Sequence, residues 1–237
     1  MDDTWTLPIP EPVRRIFDRW RAQRHQGWSE EAIPKREPRS MRRLLGGAGA
    51  PLDAIEALRT PRPTQAMAAA KRFVEDDAND LRVLGLFGQR GVGKTVAACW
   101  VLGRLLQELD VLDRPSGNEV RQSGFGYFVH ATTLGRYLGD RHAGEWFDRL
   151  SRCGVLLLDD LGKEPLTGYR LDEFKAGLFE LVNTRHSNRR RTLLTSNLSK
   201  VDFAKRYGQA LADRLRDYCL TVERGGELWY VFVCRRC

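Results

Sequence analysis

Gly88-Gln89-Arg90-Gly91-Val92-Gly93-Lys94-Thr95 fills every fixed position of the pattern G-x-x-x-x-G-K-[S/T]. Leu81 to Phe87, just before it, is short and apolar and reads as a strand. Thr95 to Leu109, just after it, reads as a helix. A glycine-rich turn between a strand and a helix lets backbone N–H groups curl around phosphate oxygens. The helix N-terminus adds partial positive charge at the same place. Lys94 is expected to reach the β- and γ-phosphates of a nucleoside triphosphate, and the Thr95 hydroxyl to ligate Mg²⁺. The expected nucleotide-binding set is Gly88, Gln89, Arg90, Gly91, Val92, Gly93, Lys94, Thr95 and Val96, with ATP and Mg²⁺ as the ligands.

A second element stands further along. Val155-Leu156-Leu157-Leu158 is a continuous apolar run that ends at Asp159-Asp160. Such a run suits a parallel strand buried on both faces. Asp159 is expected to hold Mg²⁺, directly or through water, beside Thr95. Asp160 is expected to orient or deprotonate the attacking water. It is one methylene shorter than the glutamate commoner in that role, which predicts slow hydrolysis without an activator. A third element, Thr192-Leu193-Leu194-Thr195-Ser196-Asn197, is a strand ending in small polar residues that are placed to sense the γ-phosphate.

The rest of the pattern sets the fold class. Ala66 to Val74, Leu134 to Leu150, Asp172 to Arg185 and Ala204 to Asp217 carry helical spacing. Phe125 to Ala131 reads as a strand, and Leu220 to Glu223 with Trp229 to Val233 reads as a terminal hairpin through Gly225-Gly226. Strands alternating with helices predict an α/β sandwich with a mostly parallel sheet. The strand Phe125–Ala131 falls between the glycine-loop strand and the Asp159 strand in sequence. That order fits the ATPase branch of P-loop proteins better than simple nucleotide kinases, and no arginine-bearing lid is visible.

Residues 1–62 differ in composition. They hold seven of the ten prolines, and Val13, Ile16, Phe17 and Trp20 form one face of a short amphipathic helix opened by Pro12. Gly46-Gly47-Ala48-Gly49-Ala50-Pro51 reads as a flexible break. The division expected is an N-terminal arm or partner-docking region, 1–62, and an ATPase domain, 63–237. The net charge of +8, mostly arginine, favours anionic partners. Five cysteines, odd in number and mostly far apart, make no disulfide framework. Without an apolar leader or a long apolar run, the expected setting is cytoplasmic and reduced, with no membrane.

Several runs together resemble a known group. They are Leu156 to Glu164, Leu178 to Arg185, Asn188 to Thr192, Thr195 to Leu198, and Ala210-Leu211-Ala212-Asp213-Arg214-Leu215-Arg216. They resemble the AAA+ ATPases of the bacterial helicase-loader group, DnaC and DnaI, and the related transposition helper IstB. The resemblance covers roughly residues 63–235. It implies a P-loop AAA+ three-layer α/β/α sandwich with a five-stranded sheet, a small N-terminal helical arm and no C-terminal helical lid. It implies that Asn197 is a sensor and that Arg214 is a finger reaching a neighbouring subunit's γ-phosphate, so that the catalytic set is Lys94, Asp159, Asp160, Asn197 and Arg214. An ATP-dependent homo-oligomer follows from a finger supplied in trans. The implied partners are a replicative DNA helicase and single-stranded DNA, with Arg136, Tyr137, Arg141, His142, Trp146 and Arg149 in the stretch that contacts the strand. The alternative is a helper of a transposase on duplex DNA. A small-molecule P-loop kinase and an ATP-binding adaptor without turnover stand behind both.

Overall fold

The computed structural model describes residues 39–75, 83–112, 126–139, 143–216 and 228–234. The elements in chain order are α1 (Met41–Gly47), α2 (Leu52–Ala57), α3 (Gln65–Glu75), β1 (Val83–Gly88), α4 (Lys94–Leu112), β2 (Gly126–His130), α5 (Ala131–Gly139) and α6 (Ala143–Arg152). They continue with β3 (Val155–Leu161), α7 (Gly168–Ser187), β4 (Arg191–Ser196), α8 (Lys200–Tyr207), α9 (Gln209–Arg216) and β5 (Leu228–Cys234). The strands form one sheet in the order β2-β3-β4-β1-β5. The first four run parallel, and β5 runs antiparallel along β1.

Period-two alternation divides the apolar side chains between two cores, one on each face of the sheet. Leu84 and Leu86 of β1, Val155 and Leu157 of β3, and Leu193 of β4 enter the core under α1–α4. Val83 and Phe87, Leu156 and Leu158, and Leu194 enter the core under α5–α8. The result is the expected α/β/α sandwich with a five-stranded, mostly parallel sheet. The strand between β1 and β3 in space is β4. β2, which lies between them in sequence, sits at the sheet edge.

The structure departs from the sequence pattern in several places. Gly46–Pro51 is no flexible break: Gly46 and Gly47 close helix α1, and Ala48 and Ala50 are buried in the first core. Ala48 O also accepts from Phe128 N at 2.8 Å on the edge strand. Met41, Leu45, Ile55 and Leu58 are buried in that same core, so packing runs straight across the division drawn at residue 62. The reason lies in α4. Ala97, Ala98, Cys99, Val101, Leu102 and Leu105 are all buried, and a helix apolar all round needs cover on its outer side. Gly103 provides the notch, because a Cβ there would come 2.6 Å from Met41 Cγ. The helical span expected at Ala204 to Asp217 is broken by Gly208, whose φ of +92° ends α8. The span from Leu134 to Leu150 is carried by two helices, α5 and α6.

The amphipathic helix expected at residues 13–20 and the first hairpin strand at 220–223 lie outside the described residues. Among those described, no helix is long and apolar enough to cross a membrane.

Leu45→Ala and Leu58→Ala are each expected to cost about 2–5 kcal/mol in denaturant unfolding, as buried leucines do when truncated. A chain starting at residue 63 should lose cooperative unfolding. A full-length melting temperature from that shortened chain would show residues 41–58 to be separable.

Candidate nucleotide-binding site

The glycine loop leaves β1 and enters α4 with two residues in the left-handed region, Gly91 at φ +84° and Gly93 at φ +85°. Side chains are strained there, so glycine is the residue that fits. Gly93 is also crowded: a Cβ on it would sit 3.2 Å from Thr64 Oγ1. Thr64 caps the start of α3 by accepting from Met67 N at 3.1 Å.

Lys94 is buried at 6% exposure. Its Nζ donates to Gly88 O at 2.8 Å, Gln89 O at 2.6 Å and Asn197 Oδ1 at 2.8 Å. Burial draws the ammonium below its ordinary range, against the opposing pull of Asp160 and Asp159. A phosphate oxygen would be a stronger acceptor for it than these three neutral oxygens.

Asp159 lies near the end of β3 and is 3% exposed. Its Oδ1 accepts from Thr95 Oγ1 at 2.9 Å and from Thr195 Oγ1 at 2.7 Å. Burial raises its carboxyl above the usual range, and these two hydroxyl donors oppose the rise. The β3–β4 register then shifts between Leu158 and Leu161, and Asp160 takes φ +58°. A bulge of this kind re-aims a side chain, and aspartate is among the residues that tolerate the left-handed region. Asp160 N donates to Thr195 Oγ1 at 2.9 Å, which fixes the bulge to β4.

The Asp160 carboxylate is engaged on both oxygens. Oδ1 accepts from Asn197 Nδ2 at 3.0 Å. Oδ2 pairs with Lys163 Nζ and lies 3.5 Å from His130 Nε2. Burial alone would raise this carboxyl, but the Lys163 hydrogen bond and charge, with His130, outweigh it and hold it below the usual range. Asn197 thus bridges the loop lysine and the second carboxylate, with its oxygen toward Lys94 and its nitrogen toward Asp160.

The Thr95 and Asp159 oxygens suit Mg²⁺. Both are hard oxygen donors, and their 2.9 Å separation is about the edge of an octahedron with metal–oxygen bonds of about 2.0–2.1 Å.

Lys94, Thr95, Asp159, Asp160 and Asn197 therefore meet in one place. Val92 is buried, Val96 packs against the first core, and Gln89 and Arg90 are exposed. Arg214 falls on α9, and its side chain lies outside what the structure describes. Tyr137 and Trp146 stack on each other at 4.0 Å and 4°, with Arg149 at 5.4 Å over the Trp146 ring. Arg141 and His142 lie outside the described residues.

Three members of the site, Lys163, His130 and Thr64, carried no assigned role in the sequence, and Thr195 was expected only to face the γ-phosphate. Thr195 organises both aspartates. Lys163 and His130 touch Asp160, and Thr64 crowds Gly93. The alternation of β4 could have flagged Thr195, since a polar residue on a strand buried throughout needs a partner. His130 is brought in by register, opposite Asp159 on β3.

Among solved structures, the chain is similar to the crystal structure of the DnaC helicase loader, at 22% identity over 69% of this chain and 94% of that one, with a TM-score of 0.50. It is also similar to domain III of the Thermotoga maritima replication initiation protein DnaA, at 18% identity over 63% of this chain and 57% of that one, with a TM-score of 0.47. DnaI is similar at 25% identity over 63% of this chain and 78% of that one, with a TM-score of 0.44. No protein-family model and no curated protein matches the chain. At these identities the likeness is one of fold. The DnaC likeness is one of an α/β fold, here with a sheet that sets β4 between the glycine-loop strand and the carboxylate strand.

Proposed function

We propose that this chain is an ATPase of DNA replication that binds a replicative helicase and loads it onto single-stranded DNA. The observation that carries the ATPase reading is the convergence of Lys94, Thr95, Asp159, Asp160 and Asn197 at the ends of β1, β3 and β4. The loader reading is supported by the runs resembling DnaC and DnaI and by the DnaC-like fold.

On this reading, ATP phosphates enter the glycine loop and draw Lys94 from the carbonyls of Gly88 and Gln89. Thr95 and Asp159 would hold Mg²⁺, which when bound supplies positive charge against the phosphate oxygens. Asn197, released by Lys94, keeps one arm on Asp160 and can turn the other to the terminal phosphate. Asp160 orients the attacking water and accepts its proton. Arg214 of a neighbouring copy completes the site, since a guanidinium stabilises charge spread over phosphoryl oxygens.

The nucleic-acid reading also has support. Arg136 and Arg170 line an open cleft of about 230 Å³ together with Glu173, with Thr132, Pro165 and Leu166 on its walls. Tyr169, next to Arg170, is 76% exposed. An exposed aromatic beside arginines suits base stacking with phosphate contact. Tyr137 and Trp146, engaged with each other, are less free for that role.

The test of the partner is co-purification with the host's replicative helicase, with and without ATP. A complex in at least one state is expected. No complex in either state overturns the loader reading, and assembly on duplex DNA with a transposase would favour the transposition alternative. For the shared site, Arg214→Ala is expected to lower the hydrolysis rate on the order of 10³-fold. Mixing it with inactive Lys94→Ala should restore part of the activity, and no recovery would count against a finger in trans. Tyr169→Ala should weaken binding of single-stranded oligothymidylate by about 5- to 150-fold, the equivalent of about 1–3 kcal/mol for a stacked base. Unchanged binding in a fluorescence anisotropy titration would remove Tyr169 from the interface.

A further inference from the structure

Asp160 is restrained from three directions, and the three restraints differ in kind. Asn197 follows the end of β4, and His130 ends β2, so sheet register fixes both. Lys163 comes from the segment between β3 and α7. Its backbone turns back on Asp160, with Lys163 N donating to Asp160 O at 3.1 Å. Its Nζ then closes an ion pair with Asp160 Oδ2. The Lys163 side chain is 35% exposed and that of Asp160 17%. The pair therefore sits at the solvent boundary, where a charged competitor can reach the lysine.

The backbone on either side of Lys163 is tied down. Gly162 holds φ +106°, and a Cβ there would come 2.9 Å from Leu198. Gly162 N donates to Glu164 Oε2 at 3.0 Å. Glu164 is buried and accepts from Arg206 Nε at 2.6 Å and from Tyr207 OH at 2.7 Å. Between two such anchors the backbone stays put, and the Lys163 side chain can swing alone.

The contact works against hydrolysis. A water O–H must donate to a free lone pair of the carboxylate for Asp160 to act on it. Lys163 and His130 both face Oδ2, and Asn197 takes one lone pair of Oδ1, which leaves water a single direction beside Asn197. An aspartate is short, so little reach remains once one oxygen is drawn toward the loop. The competitor that would free it has a place nearby. Pro165 and Leu166, just beyond Lys163, form a wall of the cleft, whose charged lining is Arg136 and Arg170 with one carboxylate, Glu173. Phosphates of a strand lying there offer Lys163 an alternative anion.

We propose that Lys163 is a positioning residue that holds Asp160 off the attacking water in the resting chain, and that nucleic-acid phosphates in the neighbouring cleft release it. The proposal rests on the ATPase reading above. It makes stimulation by nucleic acid a property of a single side chain on the Asp159-Asp160 loop.

The test is steady-state ATP hydrolysis by the full chain, with and without single-stranded oligothymidylate, for the wild type, Lys163→Met and Lys163→Arg. Without DNA, Lys163→Met is expected to raise kcat by about two- to fivefold, the range of a partly exposed ion pair. KM for ATP should stay put, and the stimulation ratio should fall by the same factor. Lys163→Arg keeps the charge and should restore the low resting rate. A lower or unchanged kcat for Lys163→Met, or a stimulation ratio equal to wild type, overturns the proposal. Should Lys163→Met melt below the assay temperature, Lys163→Gln is read in the same way. A wild type that does not hydrolyse ATP sinks the ATPase reading itself, whereas an active wild type with a Lys163→Met no faster sinks only the role of Lys163.

Discussion

The site depends on one buried carboxylate. Asp159 sits at the end of β3 with its Oδ1 shared between two hydroxyls, Thr95 on α4 and Thr195 on β4. A charge so far from water is costly unless donors satisfy it. Those donors come from different elements, so satisfying Asp159 also fixes α4 and β4 against β3. Thr195 continues the chain of contacts by accepting from Asp160 N. The geometry of the second carboxylate thus follows from the needs of the first.

Much of this was legible in the sequence, because its signals are local. The glycine loop is read from its fixed positions, and β3 is read from an apolar run ending in Asp159-Asp160. What escaped depends on which elements become neighbours. His130 looks like an ordinary strand-end residue until register sets it beside Asp159. Residues 41–58 look like linker because their glycines and Pro51 are turn signals. Yet α4 is apolar on its outer face as well, and its cover had to come from somewhere in the chain. Composition shows the need for cover but not the segment that supplies it. Arg214 remains a reading from resemblance, placed on α9 by the structure with its side chain undescribed.

Arg185 shows a different limit. It reads as a charged residue near a helix end, yet it is fully buried. Its guanidinium donates to the carbonyls of Leu150, Cys153 and Arg191 and to the Thr192 hydroxyl. These contacts gather the turn before β3 and the start of β4. Burial lowers its pKa, as expected for a cation held mainly by neutral acceptors. Five donors in a planar fork can close several carbonyls at once, which a lysine cannot. The arginine acts here as a brace at the end of the sheet away from the glycine loop.

The last link runs from the carboxylates to the edge of the site. The segment after β3 is fastened through Glu164 to Arg206 and Tyr207 at the end of α8. Tyr207 also packs on Phe203, whose ring meets Phe87 of β1 at 5.2 Å and 84°. Gly208 then turns the chain directly into α9, the helix that carries Arg214. Only six residues separate Tyr207 of this anchor from Arg214, and Gly208 is the single break between the two helices. On the proposed reading, α9 serves a neighbouring copy's nucleotide while the Asp160 segment serves the chain's own. Any change in the Asp160 segment that strains the Glu164 tie would be passed to α9 through α8, whose aromatic residues are wedged against β1. The two ends of the site are therefore joined by buried contacts rather than by flexible chain, and that is the physical condition for one nucleotide site to influence the next.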